Sequence, residues 1–264
     1  MDIKNIIKKG NGFVIGMVHC LALPGTATFA GDMSKVIDQA VQDAKTLERA
    51  GVDAVIVENM NDNPMGALLQ KPAVAALSAA TAHVCASVDI PVGVDAAFSD
   101  CVAALSIAKA NGCSFVRIPV FVDMVQYYDG IVQPCAKLCM EIRRNLDAED
   151  IMVLADVQVK HSNMVIPNVP IESSAVSAAS CGADGIIVTG TASGVETPID
   201  QIKRVQKVVD LPVIAGSGVK ASNIKEQLSI ADGAIIGSSL KQGGILSNPI
   251  DYDMVREVLS ALGR

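Results

Sequence analysis

Eight times along the 264-residue chain a short β-branched, apolar run is followed by a stretch able to form a helix, and no other feature constrains the fold as strongly. The runs are FVIGMV (13–18), DAVIV (53–57), PVGV (91–94), FVRI (115–118), IMVLADV (151–157), GIIV (185–188), PVIA (212–215) and GAII (233–236). Helix-compatible stretches such as MSKVIDQAVQDAKTLERA, PAVAALSAATAHVCASV and PIDQIKRVQKVV lie between them, and DYDMVREVLSAL follows the last. Consecutive runs begin from 21 (212 to 233) to 40 (13 to 53) residues apart, too far for hairpins and right for βα units. The punctuation repeats as well: RAGVDAVIV, KANGCSFVRI and SCGADGIIV each place a Gly where a helix would end and a strand begin. Half the residues are apolar, yet aromatics make up 3% and Trp is absent, which suits buried parallel strands under closely packed helices better than an antiparallel sandwich. The expected fold is therefore α/β, one closed (β/α)8 barrel of the TIM type over residues 1–264. An open doubly wound sheet is the weaker alternative, because it would show fewer units and a switch point.

Barrel proteins of this kind carry their chemistry on the loops after the strands. His19 and Cys20 follow the first run, Glu58 and Asn59 the second, and Asp95 the third; Arg117 lies within the fourth. The fifth run carries Asp156, with Lys160 and His161 beyond it, and the sixth leads to Thr189 and Gly190. Polar groups thus converge on one rim.

The seventh and eighth runs end in AGSGVK (215–220) and IGSSLKQGG (236–244). Glycines there let backbone N–H groups approach an anion, and these two loops are the common phosphate site of such barrels. Gly190, Gly216, Ser217, Gly218, Gly237, Ser238 and Ser239 are the expected phosphate contacts; tight turns alone would also explain the glycines. Gly216, Gly218 and Ala221 loosely fit a dinucleotide fingerprint, but it lies far down the chain and the next Asp, Asp232, precedes its strand, which disfavours a dinucleotide site.

In DVQVKH, alternation along an extended strand would point Asp156, Gln158 and Lys160 inward and His161 away. A partly desolvated lysine there suits base or Schiff-base chemistry, and His19 suits proton transfer near neutral pH. His19, Asp156 and Lys160 are the catalytic candidates, with Glu58, Asn59, Asp95, Arg117 and Thr189 as substrate contacts. Arg117 within an apolar strand needs an anion or a carboxylate, and a structural ion pair would serve equally. A divalent metal on His19, Glu58, Asp95 and Asp156 stays open, although one histidine and scattered acids form no ligand spacing; no cofactor is expected. His83, in an Ala-rich stretch, reads as packed or solvated.

Other features narrow the partners. The charge sum of 21 basic and 28 acidic residues is −7, without a basic cluster longer than a pair, which disfavours nucleic acid and anionic membrane. The longest uncharged stretch, 72–88, is short and weakly apolar, and the N-terminal residues lack a signal-peptide core, so the expected setting is cytoplasmic, without membrane insertion. Seven cysteines without a CxxC read as reduced, mostly buried thiols.

The segments MVHCLALPG, GVDAVIVEN, PVGVD, FVRI, ADVQVKH, ADGIIVTG, AGSGV with Asn223, and ADGAIIGSSLKQGG with NPID resemble, in order from about residue 13 to 256, the BtpA family, also called BtpA/SgcQ. The resemblance implies a TIM-type barrel. It carries little about activity: the family is named for a member needed for photosystem I accumulation, while related members sit among sugar-utilisation proteins. The family's usual Asn after PVGV is here Asp95, and the VL that often follows is Ala96–Ala97, so substrate contacts at the third strand are expected to differ. The combined expectation is an enzyme acting on a small phosphorylated, sugar-phosphate-like metabolite by proton transfer or aldol/isomerase chemistry. The alternative is a non-catalytic assembly or stabilisation factor; homo-oligomerisation is open.

Overall fold

The structure is a computed structural model that describes residues 3–264. Eight parallel strands close into a barrel in chain order: β1 (Phe13–His19), β2 (Ala54–Glu58), β3 (Val92–Asp95), β4 (Phe115–Ile118), β7 (Met152–Val157), β9 (Gly185–Val188), β10 (Val213–Ala215) and β11 (Gly233–Ile236), with β11 pairing back onto β1. The expected (β/α)8 barrel is what forms, with strand ends moved by a residue at most from the sequence-derived runs. Helices α2 (Met33–Ala50), α3 (Lys71–Cys85), α4 (Cys101–Asn111), α5 (Ala136–Asn145), α6 (Ile171–Ser180), α7 (Ile199–Gln206), α8 (Ile224–Leu228) and α9 (Tyr252–Ala261) cover the outside. The repeated punctuation is visible at the end of α2, where Gly51 adopts φ 100° and its N–H returns to the Leu47 and Glu48 carbonyls.

Strand alternation divides the apolar residues between two cores. One set, including Val14, Val18, Val55, Val57, Val94 and Val116, faces the helices. The other, including Phe13, Ile15, Ile56, Phe115, Leu154 and Ile214, fills the barrel, each buried side chain contributing about 1.5–3 kcal/mol. The two large rings fit because Gly93 and Gly233 stand opposite them: a Cβ at either glycine would overlap Phe115 or Phe13. Ile3 and Ile6 of a short helix α1 (Ile3–Ile6), with Ile7, join this inner core.

Two features went unread in the sequence. One is α1; the other is a small antiparallel sheet outside the barrel, made of β5 (Val125–Tyr127), β6 (Gly130–Val132) and β8 (Asn163–Met164). The hairpin signal was present, since YYDGIV carries Asp129–Gly130 between two apolar runs, and Tyr127 pairs with Gly130 across the turn. Among the described residues no helix is long and apolar enough to cross a membrane. All seven cysteines are free; Cys20, Cys101, Cys113 and Cys139 are buried, while Cys181 is exposed.

Candidate active site

On five strands the last inward-facing position changes from apolar to ionisable. Met17 gives way to His19 on β1, Ile56 to Glu58 on β2, Gly93 to Asp95 on β3, Phe115 to Arg117 on β4 and Leu154 to Asp156 on β7. The register sets His19 beside Glu58, Glu58 beside Asp95, and Asp95 beside Arg117, so four of the five form a continuous charged layer. All five are buried, and four of them, with Asp156 behind Arg117, border a cavity of about 660 Å³ at the strand C-terminal rim.

Ion pairs tie this layer together. Arg117 clamps Asp156 with Nε and Nη2 at 2.9 and 2.8 Å, and its Nη1 lies 3.5 Å from Asp95 Oδ2. His19 Nε2 sits 3.3 Å from Glu58 Oε2. Burial opposes the Arg117 charge, but Asp156, Asp95 and Glu58 outweigh it and hold the guanidinium protonated. Burial would likewise raise Glu58, yet the His19 hydrogen bond and the charges of His19, Arg117 and Lys160 keep its carboxyl below the usual range. Asp95 goes the other way: burial first, then repulsion by Glu58, lift it well above the ordinary aspartate range. A buried acid that keeps its proton is close in shape and hydrogen-bonding capacity to asparagine, the residue the family resemblance led one to expect there. Among the described residues, His19 Nδ1 and Asp95 Oδ1 are buried without a hydrogen-bond partner, and both side chains border the cavity.

Lys160 reaches the same cavity by a different route than alternation suggests. The strand ends at Val157, and Gln158 takes φ 49°, its N–H bonded to Asp123 and its amide to the Val169 carbonyl. Gln158 therefore leaves the inward row. Lys160 then donates from Nζ to the Gly216 carbonyl at 3.3 Å, and its backbone N–H binds Thr189 Oγ1 at 3.1 Å. Burial, followed by the Arg117 charge, pulls its ammonium down to about 8. His161, expected to point away, borders the cavity at its exposed edge: its φ is 63°, and Ser193 N–H donates to its Nε2 at 3.2 Å. Burial and neighbouring Lys160 lower its pKa.

Opposite this cluster lie the glycine-bearing ends of β10 and β11. Gly216, Ser217, Gly218, Gly237, Ser238 and Ser239 all border the cavity. Part of the glycine pattern serves packing. Gly190 N–H donates to Ser217 Oγ at 2.6 Å, Ser217 Oγ donates to the Val195 carbonyl at 2.9 Å, and a Cβ at Gly218 (φ 65°) would overlap the Glu196 backbone. Residues 190–197 thus fold directly onto the loop after β10. Below the loop after β11, the buried Lys241 ammonium joins the Asn248 carbonyl at 2.9 Å and Asp43 at 3.5 Å, anchoring its far end.

Three expected contacts fall outside the cavity. Asn59 donates to Asp62 at 2.9 Å and to the Ala97 carbonyl at 3.0 Å while accepting from Ala97 N–H, which makes it a strut between two loops. Thr189 supports the Lys160 backbone, and Gly190 lies beneath its own loop, where a Cβ would meet the Val195 and Glu196 carbonyls. Among the described residues no three His, Cys, Asp or Glu side chains are arranged to hold a metal ion. The sequence reading missed an apolar wall of Met60, Met65, Phe98, Tyr127 and Tyr128, and the loop residues Ser193 and Gly194. The scarcity of aromatics was the available signal, because three of the eight Phe and Tyr residues meet at this one place.

A closed parallel barrel with its ionisable groups gathered under a cavity at the C-terminal rim defines a TIM-barrel protein. The BtpA family model matches residues 11–264, and the chain belongs to that family. An uncharacterized protein of Pyrococcus furiosus is 36% identical over 244 residues, covering 92% of each chain. The photosystem I biogenesis protein BtpA of Synechocystis is 34% identical over 253 residues, covering 94% of this chain and 87% of that one. Among solved structures, (S)-3-O-geranylgeranylglyceryl phosphate synthase from Thermoplasma acidophilum, in complex with substrate sn-glycerol-1-phosphate, superposes with a TM-score of 0.61. That match covers 95% of this chain and 93% of the synthase at 17% identity, a likeness of fold.

Proposed function

We propose that the protein is an enzyme acting on a small phosphorylated metabolite by proton transfer or aldol/isomerase-type chemistry. The observation that carries this reading is the position of Lys160: an amine pulled to about 8 between a charged layer and the glycine-bearing ends of β10 and β11. Close to neutral pH such an amine can give or take a proton, or attack a carbonyl. Asp95 would hold a proton for donation, the His19–Glu58 pair would accept one, and the Arg117–Asp156 clamp would orient the reacting group. The phosphate would rest on backbone N–H groups around Ser217 and Gly218 and around Gly237 to Ser239, where local dipoles attract an anion despite the net charge of −7. The phosphorylated substrate of the Thermoplasma synthase, on the same fold, is in keeping with this reading.

The test is incubation with a mixed pool of phosphorylated metabolites followed by mass spectrometry. Selective consumption by the wild type and not by Lys160→Met supports the enzyme; an unchanged pool at high protein concentration refutes it. A second reading, a non-catalytic assembly factor, draws on the Synechocystis relative and on the exposed Tyr128 and Ile131 of the hairpin. It predicts that Lys160→Met leaves function in the cell intact while polar substitutions at Ile131 abolish it.

A further inference from the structure

The barrel order sets β3 diametrically across from β10, and β4 across from β11. The glycine-bearing loops therefore face the segments after β3 and β4, and there the chain concentrates aromatic surface. Phe98 comes after β3; Tyr127 and Tyr128 belong to the hairpin after β4; all three border the cavity. Phe98 and Tyr127 are stacked with centroids 4.2 Å apart and planes 6° apart, and Tyr128 continues the column 4.1 Å further on, tilted by 40°. Tyr127 is the middle ring. Phe98 is 7% exposed and Tyr128 63% exposed, so the open end of the column is Tyr128, whose hydroxyl is bound to the Met65 carbonyl.

We infer that the substrate carries, besides its phosphate, a planar unsaturated ring that extends this column, with the reacting centre between ring and phosphate above the charged layer. The inference rests on the phosphate reading of the β10 and β11 loops and adds the chemical class at the other end of the molecule. Size agrees with it: about 660 Å³ falls within the roughly 300–1,000 Å³ of sites for drug-sized ligands, more than a small sugar phosphate fills. The wall chemistry argues for a ring over a flexible aliphatic chain. Stacked ring faces reward planarity, and adjoining Met60 and Met65 offer polarisable sulfur for aromatic edges.

Calorimetric titration with inorganic phosphate, phenyl phosphate, cyclohexyl phosphate and octyl phosphate separates the parts. Phenyl phosphate should bind about tenfold tighter than cyclohexyl phosphate, which has similar apolar bulk without a planar face. In Tyr128→Leu, at the exposed end where the fold is least at risk, that preference should fall to near unity with inorganic phosphate affinity unchanged. A second readout needs no variant: Trp is absent and two of the three tyrosines lie in the column, so phenyl phosphate and not cyclohexyl phosphate should alter tyrosine emission. Equal binding of the phenyl and cyclohexyl esters, or tighter binding of octyl phosphate, overturns the ring while leaving the phosphate reading in place. Failure of inorganic phosphate and of every ester to bind overturns both.

Discussion

Replacing Lys160 by Met tests whether the cavity imposes on an amine the environment that the proposed chemistry needs. The folded protein pulls the ammonium from 10.5 to about 8, which corresponds to an upper bound of about 3–4 kcal/mol of destabilisation. Water reaches part of the half-buried side chain, and the variant loses the bond to the Gly216 carbonyl, so a net gain of ~1–2 kcal/mol is expected at pH 7. Below pH 8 both folded and unfolded wild type hold the proton, and the full penalty applies. Between about 8 and 10.5 the folded state has released it while the unfolded state has not; wild-type stability rises through this window and the variant's advantage shrinks. Urea unfolding at pH 7 and pH 9.5, with the difference between the two proteins compared at each pH, measures this directly. A variant less stable than wild type at pH 7, or an advantage constant with pH, would refute the reasoning.

Arg117→Met should lower stability by about 3–5 kcal/mol, read by urea unfolding, because it strands the buried Asp156 carboxylate without its clamp. His19→Asn should reduce turnover by ~100-fold or more with inorganic phosphate affinity nearly unchanged; normal turnover with a stability loss of ~1–3 kcal/mol would remove His19 from the reaction. Gly218→Ala should cost ~2 kcal/mol or more in the same unfolding assay, since the position needs φ 65° and its Cβ would overlap the Glu196 backbone.

Periodicity made the barrel and its rim legible in the chain. Short β-branched runs spaced by helices can close only in a few ways, and the residues at or just past the end of each run had to lie near one rim, which is how His19, Glu58, Asp95, Arg117 and Asp156 could be grouped before any coordinates. The same alternation failed one residue past the end of β7. Gln158 at φ 49° breaks the extended backbone, so parity no longer decides which way Lys160 and His161 face. Asn59 and Thr189 look like site residues by position, yet their polar atoms answer loop backbones, and no local pattern announces a long-range hydrogen bond. The aromatic column escaped for a related reason: Phe98 and Tyr127 are distant in sequence and meet only through the packing of two loops.

In the proposed function a phosphate-bearing molecule lies between the ends of β10 and β11, above Lys160 and the charged layer. A crystal structure of the protein soaked in inorganic phosphate tests it most directly. An anion is expected within hydrogen-bond distance of backbone N–H groups from both the Ser217–Gly218 and the Gly237–Ser239 segments, on the Lys160 side of the cavity. An anion bound only at the opposite end of the barrel, or these N–H groups left without one at saturating phosphate, would contradict it.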